Sequence, residues 1–225
     1  MRQAPGRPAA TVVLLRPGPR APEVLLLRRD SRMAFAGGHW VFPGGRVETA
    51  DADRGKGDEV DTARHTAARE TREEAGLELD PETLIPFAHW TPPEQAPRRY
   101  LTWFFLSMAP EAPVVIDDRE IREYRWMTAS EALDHARLGG IALGAPTWIS
   151  LERIARHRDP RAALEETRQT GPEYFATRLV AVETGRVALY HGDAGYAAED
   201  LEVPGPRHRL WMVSGGWRYE RDPGI

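Results

Sequence analysis

Arg69-Glu70-Thr71-Arg72-Glu73-Glu74-Ala75-Gly76-Leu77 is the stretch from which the rest of this chain can be read. Its three glutamates stand at i, i+3 and i+4, so on a helix Glu70, Glu73 and Glu74 share one face. Like charges that close repel one another, and a divalent cation is the natural compensation; hard carboxylate oxygens favour Mg²⁺ or Mn²⁺ over zinc. A solvated acidic face is the plainer reading, and the flanking sequence decides against it. The helix reads from an N-cap at Asp61 or Thr62 to a stop at Gly76, with Ala63, Ala67, Thr71 and Ala75 small enough to pack closely on a sheet. Upstream, Trp40 to Phe42 reads as a short strand entering the turn Pro43-Gly44-Gly45, where backbone can approach a phosphate or a metal closely. Strand, glycine turn, connecting segment and acidic helix form one unit.

Working outward, Ala10 to Leu15 and Val24 to Arg28 read as apolar strands of a hairpin closed by Pro17-Gly18-Pro19-Arg20-Ala21-Pro22. Beyond the acidic helix, Leu84 to His89 and Tyr100 to Met108 read as strands around a loop whose prolines forbid regular pairing. A strand near Tyr124 to Met127 leads into a helix from Ser130 to Leu138, capped by Thr128 or Ser130, and Pro146 to His157 repeats apolar residues at helical spacing. This order predicts an α/β fold, a mixed sheet with helices on both faces. From about residue 170 the character changes to aromatic and β-branched runs: Tyr174 to Val182, Arg186 to Tyr190, His208 to Val213 and Trp217 to Tyr219. The expected division is a first domain over 1–165 and a small β-rich C-terminal extension over 166–225. Trp211 and Trp217 read as core, with a pocket lining or a dimer interface as the rival use. His191-Gly192-Asp193-Ala194-Gly195 reads as a turn.

Composition narrows the function. A length of 225 residues suits one ordinary domain plus an extension. The net charge of −4 argues against nonspecific nucleic-acid binding. The absence of cysteine removes disulfides, thiolate metal sites and a cysteine nucleophile. No segment combines the basic start and apolar run of a signal peptide, and none approaches the roughly 20 apolar residues that cross a bilayer, so a cytoplasmic protein without membrane attachment is expected. Arginine almost wholly replaces lysine, which weakens any argument from a single arginine.

The acidic segment resembles the Nudix hydrolase signature, G-x5-E-x7-R-E-U-x-E-E-x-G-U with U aliphatic, matching it at Arg69, Glu70, Glu73, Glu74, Gly76 and Leu77. Thr71 stands where that family prefers an aliphatic residue. Spacing departs as well: counted from Gly45 the next acid falls at Asp51, whereas counted back from Arg69 it falls at Asp61, an interval about ten residues longer than the pattern. A contiguous register from Gly55 to Asp61 also fits. Gly45 is favoured because the strand and turn belong to it, and Asp51 to Val60, with the chain's only lysine at Lys56, is then a surface insertion without a catalytic group. The resemblance covers about residues 8 to 158 and implies an α/β/α sandwich. Lacking cysteine, the chain is not one of the isomerases of that fold that depend on a cysteine.

That resemblance implies hydrolysis of a nucleoside diphosphate linked to another moiety, with Mg²⁺ or Mn²⁺ as cofactor. Glu70 and Glu74 are the implied ligands, Glu73 a ligand or water-orienting base, and the Gly44 carbonyl a further donor. Arg69, one turn before Glu73, reads as an ion pair that fixes the acid's rotamer. A further acid is expected from the segment before Trp126, Glu120 ahead of Glu123, against the reading that both are solvated. The segment Leu26-Leu27-Arg28-Arg29-Asp30-Ser31-Arg32 resembles the coenzyme A diphosphatase branch, whose Leu-Leu-x-x-Arg-Ser pattern it keeps in part: Asp30 intrudes, and Met33-Ala34-Phe35-Ala36 stands where another arginine belongs. Coenzyme A or an acyl-coenzyme A is therefore the first substrate reading, with Arg32, Arg46 and Gly45 as substrate contacts. ADP-ribose, a nucleotide sugar or a nucleoside triphosphate would use the same metal site. A Nudix-fold sensor that binds without cleaving is the alternative of a different class, and the retained carboxylates argue against it. The partner is a small nucleotide derivative; a homodimer and a monomer both fit the sequence.

Overall fold

The protein is described by a computed structural model over residues 6–33 and 35–225. Residues 1–5, with which the expected first domain opens, and Ala34, within the Met33 to Ala36 stretch, lie outside the described residues. Twelve strands and five α-helices follow in the order β1 (Arg7–Arg16), β2 (Glu23–Arg29), β3 (Trp40–Val41), β4 (Gly44–Arg46), α1 (Thr49–Arg54), α2 (Glu59–Ala75), β5 (Ile85–Thr91), β6 (Tyr100–Met108), β7 (Ile121–Thr128), α3 (Ala129–Arg137), α4 (Ala145–Ile154), α5 (Pro160–Thr170), β8 (Glu173–Ala176), β9 (Arg178–Val182), β10 (Gly185–Leu189), β11 (His208–Val213) and β12 (Gly216–Arg221).

The main sheet is mixed, ordered β3-β2-β1-β6-β5-β8, with β4 pairing β1 and β7 pairing β2. Strand β1 is its axis: seven consecutive residues from Ala9 to Leu15 are buried, the continuous apolar run of a strand covered on both faces. On one face Ala10, Val12 and Leu14 pack with Ala63, Ala67 and Ala75 of α2; on the other Val13 and Leu15 join Trp148, Ile149 and Leu151 of α4. This is the expected sandwich. Strand β1 pairs with β2 only at Leu15↔Val24 and Arg16↔Glu23, after which the hairpin splays. The edge of β1 that β2 leaves is taken by β4, through Ala9↔Arg46, Ala10↔Gly45 and Thr11↔Gly44. That insertion sets the two glycines beneath α2.

Several boundaries differ from the sequence reading. Helix α2 begins at Glu59 and its cap is Asp58, whose side chain accepts from the Asp61 N–H, rather than Asp61 or Thr62. The stretch from Asp51 to Val60 is not a plain surface loop: it holds the end of α1 and the start of α2, and Asp51 is fully buried. Helix α5 was not anticipated, although Asp159 caps it and Pro160 opens it. The run Tyr174 to Val182 is two strands. Phe175 stacks on Trp90, rings 4.0 Å apart, and holds β8 parallel to β5, while β9 turns away into a second sheet ordered β12-β11-β10-β9. Tyr190 and Leu210 of that sheet's region are buried in the same apolar cluster as Trp90 and Trp148. Trp217 packs on Trp148, and Trp211 is half-buried with its indole N–H on Glu220. The His191 to Gly195 segment is a turn, in which Asp193 is buried against Arg209.

Candidate active site

Four small residues set one turn apart bring α2 down on β1, and this close approach delivers the acidic face to the glycines of β4. Gly76 then ends the helix in the left-handed region, φ 68°. At Gly45 the fit is tight enough that a Cβ would run into the Glu70 carboxylate. The neighbouring Gly44 donates its N–H to Glu74 Oε2 at 2.9 Å. Glycine serves here for room, with the β1 backbone against Gly44 and the Glu70 carboxylate against Gly45, and the strand-to-helix contact passes directly through carboxylate oxygens.

Arg69 organises the surroundings. Its guanidinium is largely buried and reaches Asp51 Oδ2 at 2.9 Å, Glu73 Oε2 at 3.0 Å, Glu70 Oε1 at 3.1 Å and the Arg46 carbonyl at 3.0 Å. The sequence reading assigned it only the pair with Glu73. Asp51 is the larger partner, and it also accepts from the Thr66 hydroxyl and the Glu48 N–H. Burial would raise the Asp51 carboxyl, but Arg69 and these donors outweigh it and hold the group below its usual value. Asp51 thus carries the register counted from Gly45 and ties α1, α2 and β4 together; its place in that count was the one available signal.

The remaining acids are less well compensated. Glu74 is buried, 5% exposed, and burial pushes its carboxyl up to about 8; the Gly44 N–H and the charge of Arg29 oppose this, while Glu70 and Glu120 reinforce it. Burial likewise raises Glu70 against the pull of Arg69, with Glu73 and Glu120 adding repulsion. Glu120 is exposed and bonds Arg29 Nη2 at 3.1 Å. Arg29, itself mostly buried, was missed by the sequence reading, because one arginine among many carries no signal. Glu123 pairs with Arg28 and Arg125.

Of the expected substrate contacts, Arg46 has an exposed side chain while its carbonyl is held by Arg69. Arg32 is exposed but fastened to Asp30 at 2.8 Å, and Asp30 is buried between Arg32 and Arg122. The residue that intrudes on the sequence pattern is thus the anchor of its arginine. Among the described residues no three Asp, Glu or His side chains converge in the arrangement a metal ion needs: Arg69 takes Glu70 and Glu73, Arg29 takes Glu120 and the Gly44 amide takes Glu74. The donor chemistry nonetheless suits a hard cation, since each candidate ligand offers oxygen and the charges of Glu70 and Glu120 add to burial in raising Glu74.

Comparison with known proteins places this geometry. The NUDIX domain model matches residues 5–143, more than half of the chain. A Mycobacterium tuberculosis protein provisionally named 8-oxo-dGTP diphosphatase 3 is 31% identical over 202 residues, 87% of this chain and 83% of that one. A Caenorhabditis elegans protein provisionally named nudix hydrolase 7 is 29% identical over 189 residues, 68% of this chain and 62% of that protein, so the match spans less than two thirds of its length. Among solved structures, a NUDIX hydrolase from Alicyclobacillus acidocaldarius superposes with a TM-score of 0.63 at 24% identity, covering 72% of this chain and 96% of its own. The chain belongs to the Nudix hydrolase family.

Proposed function

We propose that this Nudix hydrolase cleaves, with Mg²⁺ or Mn²⁺, the diphosphate of a nucleoside-diphosphate-linked substrate, coenzyme A or an acyl-coenzyme A being the first to test. The carrying observation is Glu74: a carboxylate buried beside two glycines, raised by burial and by its acidic neighbours, and given one N–H where a buried charge needs more. Family membership supports a divalent ion, since Nudix hydrolases generally use one. Glu70, Glu73, Glu74 and Glu120, with the Gly44 carbonyl, are the residues that would hold it. A bound ion there neutralises the diphosphate and lowers the pKa of water. The chain's own part is then positional and acid-base. Glu73, half exposed at the edge of the group, orients or deprotonates the attacking water, and Glu70 is the other acid able to take that proton. Arg69 fixes the rotamers of both. Gly45 leaves room for the phosphates, and Arg46 and Arg32 meet the anionic parts of the substrate.

Support for the coenzyme A reading is the segment from Leu26 to Arg32, with Asp30 keeping Arg32 in place. A nucleoside triphosphate is the second reading, favoured by the name of the Mycobacterium tuberculosis relative. No described helix is long and apolar enough to cross a membrane; we place the protein in the cytoplasm, acting on small molecules rather than nucleic acid, with residues 166–225 as an extension of a 1–165 domain and pairing of two copies as an option for its aromatic tail. The deciding experiment is a panel of coenzyme A, acyl-coenzyme A, ADP-ribose, NADH and nucleoside triphosphates with Mg²⁺ or Mn²⁺, products identified by mass, run on the native protein and on Glu74→Gln. Release of 3′,5′-ADP supports coenzyme A; hydrolysis undiminished in Glu74→Gln overturns the site.

A further inference from the structure

One border of the main sheet is a strand with a free edge. Among the described strands β7 pairs with β2 alone, so its outer side presents backbone N–H and C=O groups that no neighbouring strand takes up. The register says which groups these are. Arg29 of β2 donates its N–H to the His39 carbonyl, on the β3 side. Backbone bonds alternate along an antiparallel strand, so Arg28, Leu26 and Val24 turn theirs toward β7. Their partners Glu123, Arg125 and Met127 bond back to β2, which leaves the N–H and C=O of Tyr124 and Trp126 directed away from the sheet. The register irregularity lies beyond this segment, between Glu123 and Ile121.

The charges along this edge answer one another about its centre. Tyr124 stands in the middle, 41% exposed, with Glu123 on one side and Arg125 on the other. Laid antiparallel against a second copy about Tyr124, the edge sets each Glu123 opposite the second copy's Arg125 in a close non-hydrogen-bonded pair, Cα atoms about 4.5 Å apart, while the two tyrosines exchange both backbone bonds. Moving the axis one residue either way sets Glu123 against Glu123 or Arg125 against Arg125, which is repulsive. Within one chain Glu123 meets Arg125 at 2.6 Å, yet the side chains stay 34% and 45% exposed, so a second counterion can reach each. The outer strand of the second sheet, β12, carries Arg218, Tyr219 and Glu220 in a similar order. There the tyrosine hydroxyl is committed to His208 at 2.9 Å, and the axis lacks an exposed ring.

We propose that two copies of this chain pair through β7, antiparallel about Tyr124, and join their main sheets into one. The interface is isologous, and its two-fold axis, normal to the sheet, keeps both acidic sites on the same face. Charge on a free edge discourages chance strands, and here it admits the one strand whose charges are complementary, its own.

Sedimentation from about 1 to 100 µM protein reads the association. Arg125→Glu and Glu123→Arg, each alone, set like charges opposite in both halves of the interface and are expected to weaken the dimer about tenfold or more. Mixed in equal amounts, the two variants are expected to pair with each other, and the double variant Glu123→Arg with Arg125→Glu is expected to regain the homodimer; a role confined to folding predicts neither. Tyr124→Pro removes the N–H at the axis, which the ladder to β2 does not use, and should abolish pairing in a protein that still melts cooperatively. A wild type that stays monomeric throughout, a dimer that survives Arg125→Glu, or single variants whose mixture stays monomeric overturns the proposal. A dimer lost on Arg218→Glu but kept in Tyr124→Pro overturns it as well, by moving the interface to β12.

Discussion

Asp193 and Glu74 are both buried carboxylates, and the structure treats them in opposite ways. Asp193, in the turn before β11, receives both Nε and Nη2 of Arg209 at 2.7 Å and the N–H groups of Gly195 and His208 at 2.8 Å. Burial would raise it, yet Arg209 and these donors outweigh burial and hold it below the usual carboxylate range. Glu74 has one N–H from Gly44, and burial lifts it to about 8. Both side chains belong to buried residues, and they differ in the number of partners that meet them. A carboxylate whose lone pairs are all spoken for is structure; one left short has coordination to spare, and it is the latter that stands in the acidic site.

The largest effect should come from breaking the satisfied group. Asp193→Asn leaves the Arg209 charge buried without its counterion and is expected to cost about 3–5 kcal/mol in urea unfolding; adding Arg209→Met should recover part of that loss. In the wild type this pair's contribution is present above the unfolded-state pKa and is lost as pH falls through the lowered folded value, so its signature is acid sensitivity.

Glu74→Gln should do the reverse: lose more than about a hundredfold in hydrolysis while the metal-free protein stays as stable or gains. The folded pKa of Glu74 is raised, so the folded protein keeps a proton that the unfolded chain has released, and stability declines as pH rises from the ordinary glutamate range through about 8. Thermal midpoints followed across that range should fall in the wild type and stay flatter in Glu74→Gln. A variant that melts lower than wild type at pH 8 without metal would place Glu74 with Asp193.

Gly45→Ala puts a methyl group into the Glu70 carboxylate. It should reduce turnover about tenfold or more with a change in stability of about 1–3 kcal/mol, read by steady-state kinetics beside thermal unfolding. Asp51→Asn is the mildest of the set. It loosens Arg69 while leaving that guanidinium its contacts with Glu70, Glu73 and the Arg46 carbonyl, and should cost about 1–3 kcal/mol together with a modest fall in rate. Because Asp51 is held below its ordinary pKa, the variant should also be less sensitive to acid than the wild type.

Most of the site-bearing unit was legible because its signals are local. Gly76 as helix stop, the small residues at four-residue spacing and the acids at i, i+3 and i+4 depend only on helix geometry, and the structure keeps them all on α2. What was missed is nonlocal. Asp51 looked like part of an acidic surface insertion, and only the folding of α1 against α2 buries it on Arg69, eighteen residues away. Arg29 was one arginine of many until β7 was laid along β2 and brought Glu120 to it. The Tyr174 to Val182 run gave no internal sign of a break, because the break is made by Trp90 of a distant strand claiming Phe175. Helix α5 is a different kind of miss, since Asp159 and Pro160 did announce its start.

By itself, then, the amino-acid sequence determined the family, the element that bears the acids and the kind of cation their oxygens would favour, because periodicity, capping and ligand hardness are properties of neighbouring residues. Tertiary structure decided how each acid is compensated: which is pinned by arginine, which is left with a single amide, and which arginine faces the group. Charge in a folded protein is set by burial and by partners that converge from separate strands and helices, and neither exists before the chain has closed on itself.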